Sequence, residues 1–171
     1  MTLEELNAAA DPVARDVLTA CCGTPRWVVA MMKQRPFASR SALLAAADDA
    51  WATLTRSDLL VAIIYHPRLG ERATPPEGEA PAAAWSAEEQ QGAHGADAAL
   101  QAALATGNAE YERRFAHRFI LNATGRSGGD MLKALRTRLA NDPDTELAIT
   151  SGELRQIMVL RLEKLLGDSP P

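Results

Sequence analysis

"SRSALLAAADDAWATL", residues 39–54, places Leu43, Leu44, Ala47, Trp51 and Leu54 three or four positions apart, the repeat of one helix face. The same composition runs through the chain. Alanine dominates, β-branched runs are few and aromatic residues make up 5%, so strands have little to draw on. The expected class is all-α: a single compact multi-helix domain over residues 1–171, a length that suits one core better than two.

Helix starts can be read outward from that stretch. Thr2 and Glu5 have capping-box spacing, and Asp11-Pro12 and Thr24-Pro25 each offer a cap followed by proline at the first helical position. "RPFAS", residues 35–39, breaks the chain before the alanine-rich helix. Ser57 can cap a fifth helix whose buried stripe would be Leu59, Leu60, Ile63 and Ile64. Pro67 should stop it, because the residue before a proline is pushed away from α geometry, and His66 is left at the C-terminal edge. Residues 71–84, with three prolines and Gly78, read as a surface loop. Further helices are expected over about 86–106, 108–122, 129–141 and 144–166.

Composition removes several functional classes. The net charge is −4 with pI near 5.4 and no Lys/Arg block, which argues against a nucleic-acid partner. The longest apolar runs, Leu59–Tyr65 and Trp27–Met32, are far below the roughly 20 residues that span a bilayer, so no membrane association is expected. "MTLEELNAAADPVARD" has acids where a secretion signal needs bases, and the expected location is cytoplasmic. Cys21 and Cys22 are adjacent, with no C-x-x-C partner, and read as reduced thiols. His66, His94 and His117 show no H-x-x-x-H or E-x-x-H pairing, so no metal is expected. "GRSGGD" lacks the lysine of a phosphate loop, and no G-x-G-x-x-G or G-x-S-x-G occurs.

Three places hold candidate chemistry, each with a plainer explanation beside it. His66 can terminate its helix by satisfying a carbonyl, or it can exchange protons, since an imidazole titrates near neutrality. Ser86-x-x-Glu89 has the spacing of a capping box; equally, Ser86, Glu89 and Gln90 at a helix start would form a set of donors and acceptors suited to a planar, amide-rich ligand. Tyr111, Phe115, Phe119 and Ile120 are most simply the core face of a helix ending near Asn122-Ala123, where exposed backbone groups could line a pocket. His117 reads as a surface or interhelical residue.

Taken together and in order, "RWVVAMMKQRPFAS", "HPRLGER", "WSAEEQQGA", "NAEYERRFAHRFILNATGRS" and "LRQIMVLRLEKLL" resemble the 2-oxo-4-hydroxy-4-carboxy-5-ureidoimidazoline (OHCU) decarboxylases of urate breakdown. The R-P-F, H-P, S-x-x-E-Q-x-G and R-F-x-x-x-F-I elements are short, but their joint order covers nearly the whole chain. The resemblance implies an all-helical homodimer that acts on a small ureide and needs neither metal nor organic cofactor. It implies that His66 is the catalytic histidine, with Pro67 beside the substrate and Glu89 as its partner carboxylate. Ser86, Ala87, Glu88, Glu89 and Gln90 match the polar substrate-binding turn, and Phe119, Ile120, Leu121, Asn122 and Ala123 match the segment that closes the pocket. Two positions depart from the pattern: Arg68 stands where many members have H-P-D-L, and Phe115-Ala116 where F-G is common. The rival readings are a non-catalytic helical dimer or adaptor, in which these residues merely end and begin helices, and a related ureide-processing lyase or hydrolase.

Overall fold

A computed structural model describes residues 1–71, 80–94 and 97–167. Among them there is no strand. The helices are α1 (Leu3–Ala8), α2 (Asp11–Cys22), α3 (Pro25–Gln34), α4 (Arg40–Ala52), α5 (Arg56–Tyr65), α6 (Ala80–Glu89), α7 (Gln91–His94), α8 (Ala98–Phe115), α9 (Gly128–Arg138) and α10 (Pro143–Leu165). The all-α expectation holds. Contacts group the chain into two compact units: Met1–Ala62 with the run from Arg155, and Ile63–Leu154, so that α5 and α10 each contribute to both.

The first unit is built as the caps and periodicity require. Thr2 Oγ1 accepts from the Glu5 amide at 3.1 Å and Glu5 Oε2 from the Thr2 amide at 2.8 Å, closing the expected capping box. At α2 the cap position falls on Ala10, not Asp11, and at α3 Thr24 takes it without a side-chain bond; proline lies in the first turn of both. Leu43, Ala47 and Trp51 of α4 are buried, and Trp27 Nε1 on α3 donates to the Ala47 carbonyl at 3.0 Å. The R-P-F element is a strap. Arg35 Nη2 donates to the carbonyls of Asn7 (3.0 Å) and Ala9 (2.6 Å) at the end of α1, and the Asn7 amide pairs in both directions with the Phe37 backbone at 2.8 Å. Cys21 and Cys22 form no disulfide and are buried; burial pushes the Cys22 thiol up to about 12, which disfavours its thiolate.

The fifth helix is capped two residues earlier than expected. Thr55, not Ser57, exchanges hydrogen bonds with Asp58, its amide donating to Oδ2 at 2.9 Å. Ala62 and Ile63 are its buried residues and Leu59 and Leu60 are partly buried, whereas Ile64 is 68% exposed and falls outside the stripe.

In the second unit α8 packs on α9 over Leu104, Tyr111, Met131 and Leu135. Gly107 lets the helices approach, since a Cβ there would lie 2.6 Å from Leu135 Cδ2. This explains why the expected break near residue 107 is absent and α8 runs through it. The helix expected over 86–106 is instead divided among α6, α7 and α8, and that expected over 108–122 stops at Phe115. Ala116 ends α8 in the left-handed conformation (φ 58°), which a residue with a Cβ adopts at a cost of about 1–2 kcal/mol. One departure from the resembling family's pattern thus sits where glycine is the easier residue. Of the expected surface loop, residues 72–79 lie outside the described residues, and α6 already begins at Ala80.

Candidate active site

His66 follows the last residue of α5, its amide donating to the Ile63 carbonyl at 3.2 Å. It is 6% exposed. The helix end is closed from outside by Arg118, whose Nη1 donates to the carbonyls of Ile64 (2.8 Å) and His66 (2.7 Å). A guanidinium at a helix C-terminus satisfies orphan carbonyls and matches the sign of the helix dipole. His66 therefore need not supply the cap, which weakens the reading of it as a mere helix stop.

The half-buried Pro67 turns the chain, and the turn beyond it is held on three sides. Asn108 Nδ2 on α8 donates to the Leu69 carbonyl at 2.8 Å, the Gly70 amide donates to Gln90 Oε1 at 2.8 Å, and Arg68 grips Glu112 through Nε (2.5 Å) and Nη2 (2.9 Å). Arg68 also reaches Glu71 at 3.3 Å. The arginine that replaces the family's aspartate thus has its charge matched by two carboxylates. Its guanidinium is held above the usual arginine range by Glu112, and the Glu112 carboxyl below the usual carboxylate range by Arg68.

The S-x-x-E-Q-x-G element closes α6. Ser86, Glu89 and Gln90 are buried at 5%, 7% and 8% exposure, while Ala87 and Glu88 face solvent. Because α6 starts at Ala80, Ser86 and Glu89 lie in its last turns, so the capping-box reading of this pair falls away. Their spacing of three now places both on one helix face. A buried serine, carboxylate and carboxamide together are uncommon in a helix that serves packing alone. Since the Gly70 amide is a donor, the oxygen of the Gln90 carboxamide must face it, and the NH₂ is turned elsewhere. Gly92, in α7 directly after this helix end, sits against the loop before α9: a Cβ there would lie 2.1 Å from the Arg126 carbonyl oxygen, a backbone atom that cannot give way.

Residues 119–123 are irregular, not helical. Phe119, Ile120, Leu121 and Ala123 are buried and Asn122 is partly so. Phe119 packs edge-on to Tyr111, with ring centroids 5.1 Å apart, and lies under the Arg138 guanidinium at 4.6 Å. Arg138 Nη1 donates to the Ile120 carbonyl at 2.8 Å, and Glu153 Oε2 accepts from the Asn122 amide at 2.7 Å. His117 is half-buried just beyond the end of α8, where it packs back edge-on to Tyr111 of that helix.

All three candidate stretches thus fall in the second unit: the Gly70–Gln90 bond ties the His66 turn to the end of α6, and Gly92 seats that end on the loop that follows residues 119–123. The sequence reading missed Arg118, Asn108, Glu112, Arg138 and Glu153. Each acts on a backbone group or a charge distant in sequence, so helical periodicity carries no trace of it. The arginine in R-F-x-x-x-F-I's interior, Arg118, was within the matched element and could have been flagged as an unpaired cation beside a helix end. Among the described residues no cluster of three or more His, Cys, Asp or Glu is placed to hold a metal ion, and no helix is long and apolar enough to cross a membrane.

The profile of the OHCU decarboxylase family matches residues 7–163. The chain is 30% identical over 156 residues to the uric acid degradation bifunctional protein TTL of Arabidopsis thaliana, covering 91% of this chain and 48% of that protein, so it spans about half the length of this curated relative. A crystal structure of OHCU decarboxylase in the presence of (S)-allantoin superposes with a TM-score of 0.75 at 30% identity, covering 90% of this chain and 99% of the other. A crystal structure of (S)-allantoin synthase, 16% identical, shares the fold, with a TM-score of 0.70 over 96% of this chain and 54% of the other. The helices, the order of the matched elements and the profile agree that this chain belongs to the OHCU decarboxylase family.

Proposed function

We propose that the chain decarboxylates OHCU to (S)-allantoin in urate breakdown, without a cofactor, using His66 and Glu89 to move protons. The observation that carries this reading is the buried His66 at the end of α5, in a turn tied by Gly70 and Gln90 to the helix end that buries Ser86 and Glu89. The family and the OHCU decarboxylase structure crystallised with (S)-allantoin support it.

The substrate makes a cofactor unnecessary. Its carboxylate sits on a hydroxyl-bearing ring carbon beside a ring C=N, so the electron pair of the breaking carbon–carbon bond forms a double bond between the two carbons. The C=N pair moves onto nitrogen, which takes a proton, and CO₂ leaves. The hydroxyl proton then departs as its carbon becomes a carbonyl, and the neighbouring carbon accepts a proton on one face. The protein supplies orientation and proton transfer. His66 and Glu89 are assigned those transfers, and Pro67 packs beside the ring. Ser86, Gln90 through its NH₂, and backbone around Ala87 and Glu88 are assigned to the ureido and ring carbonyl groups. Phe119, Ile120, Leu121, Asn122 and Ala123 close the pocket; with the Asn122 amide committed to Glu153, the segment's donors to substrate are sought among its other amides. A homodimer and a cytoplasmic setting belong to the same proposal.

The test is to generate OHCU in situ from urate with the upstream enzymes and follow its disappearance. The reading expects the protein to accelerate the decay catalytically, at equal rate after treatment with a chelator. A decay as slow as in buffer alone would refute it.

A further inference from the structure

The segment 119–123 lies in no helix, yet it is assigned as many substrate-facing residues, five, as the turn at Ser86–Gln90. Two backbone groups of opposite kind are gripped by side chains from elsewhere in the second unit: the Ile120 carbonyl by Arg138 and the Asn122 amide by Glu153. The two grips differ in construction. Arg138 is the buried centre of a network: Nε and Nη2 donate to Glu146 Oε1 at 2.8 and 2.6 Å, and Nη2 to Thr150 Oγ1 at 2.9 Å. Tyr111 also donates to Glu146, whose other oxygen accepts from Asn141 Nδ2 at 2.8 Å. Glu146 is fully buried and Arg138 is 7% exposed. A charge pair in that setting is costly to break on one side only, so its geometry is stiff. It anchors the guanidinium that holds Ile120. Glu153, by contrast, is only partly buried, at the edge of an open surface cleft that it lines with Leu121, Arg126, Lys133 and Arg138.

We propose that Arg138, set by Glu146, and Glu153 are positioning residues that clamp the backbone of 119–123 in the geometry decarboxylation needs. This rests on the assignment of the segment to the substrate. The cleft makes Glu153 the better probe: in Glu153→Ala, water reaches the Asn122 amide, so no buried donor is stranded and the fold should persist. In Glu153→Gln the side-chain oxygen still accepts.

Two readouts are taken on folded protein: hydrogen exchange of the amides in 119–126, and steady-state kcat and KM with OHCU generated in situ. For Glu153→Ala we expect faster exchange confined to that segment, a melting temperature close to the parent's, and kcat/KM lower by roughly 10²-fold, the scale of a positional error near 1 Å. Glu153→Gln should restore both readouts to near the parent's values. Arg138→Lys, which keeps a cation opposite Glu146 but not the forked reach to Ile120, should repeat the Glu153→Ala pattern wherever it folds. Unchanged exchange and kinetics in Glu153→Ala overturn the proposal. So does a kinetic loss with unchanged exchange, or a Gln variant as impaired as the Ala variant, since either would make the carboxylate act directly. A parent protein that does not accelerate decay would refute the proposed function instead, and the exchange comparison would still decide whether the clamp exists.

Discussion

His66 and Glu89 are the residues at which chemistry and architecture can be separated, because the structure gives the architectural duties to others. Arg118 holds the carbonyls at the end of α5, and Glu89 lies too far from the start of α6 to close a capping box. His66→Asn preserves size and some hydrogen bonding but cannot exchange a proton near neutral pH. Turnover should fall by about 10²–10⁴-fold with little change in affinity for a substrate analogue, measured by steady-state kinetics and calorimetry. Glu89→Gln should likewise abolish most turnover while the melting temperature hardly moves. Retained turnover in either variant would remove that residue from the mechanism. The sequence singles these two residues out as candidates because the H-P and S-x-x-E-Q-x-G elements are local. The Arg118 cap was not, since it spans more than fifty positions.

At the scale of elements, local signals worked where they were complete. Thr2 and Glu5 close their box, Pro12 and Pro25 lie in the first turns of α2 and α3, and the alanine-rich face of α4 is buried as its spacing demands. They misled where tertiary packing decides. Gly107 reads as a breaker but serves a close α8–α9 approach, and Ser86 reads as a cap because nothing local announces a helix starting six residues earlier. The irregular 119–123 stretch reads as helix because its apolar residues suit a core whether or not they lie on a helix.

Two predictions belong to these elements. Ala116→Gly removes the left-handed strain at the end of α8, partly offset by the greater freedom of glycine in the unfolded chain. It should stabilise the protein by about 0.5–1 kcal/mol in denaturant melts, and a destabilised variant would contradict the strain. The second concerns acid. Arg68 lowers the Glu112 carboxyl from its ordinary 4.5, so the pair contributes fully above that pH and its share is lost as pH falls through the lowered value. Because both side chains are partly exposed, the contribution is on the order of 1 kcal/mol or less. Glu112→Gln should flatten the stability–pH curve below pH 4.5; a curve parallel to the parent's would show that the pair is not coupled to folding.

For the whole molecule, the buried polar residues are unevenly shared. Among the described residues all of them except Thr24 and Arg161 lie in the Ile63–Leu154 unit, which also contains each of the three stretches assigned to the substrate. On the proposed function, this unit turns OHCU into one enantiomer of allantoin. Uncatalysed decay delivers the final proton to either face, whereas a closed pocket delivers it to one. The direct measurement is circular dichroism of the product formed from OHCU generated in situ, with the protein present and with no metal or cofactor added. A signal of (S)-allantoin that grows in step with substrate loss is expected; a racemic, optically silent product formed at the background rate would contradict the proposed function.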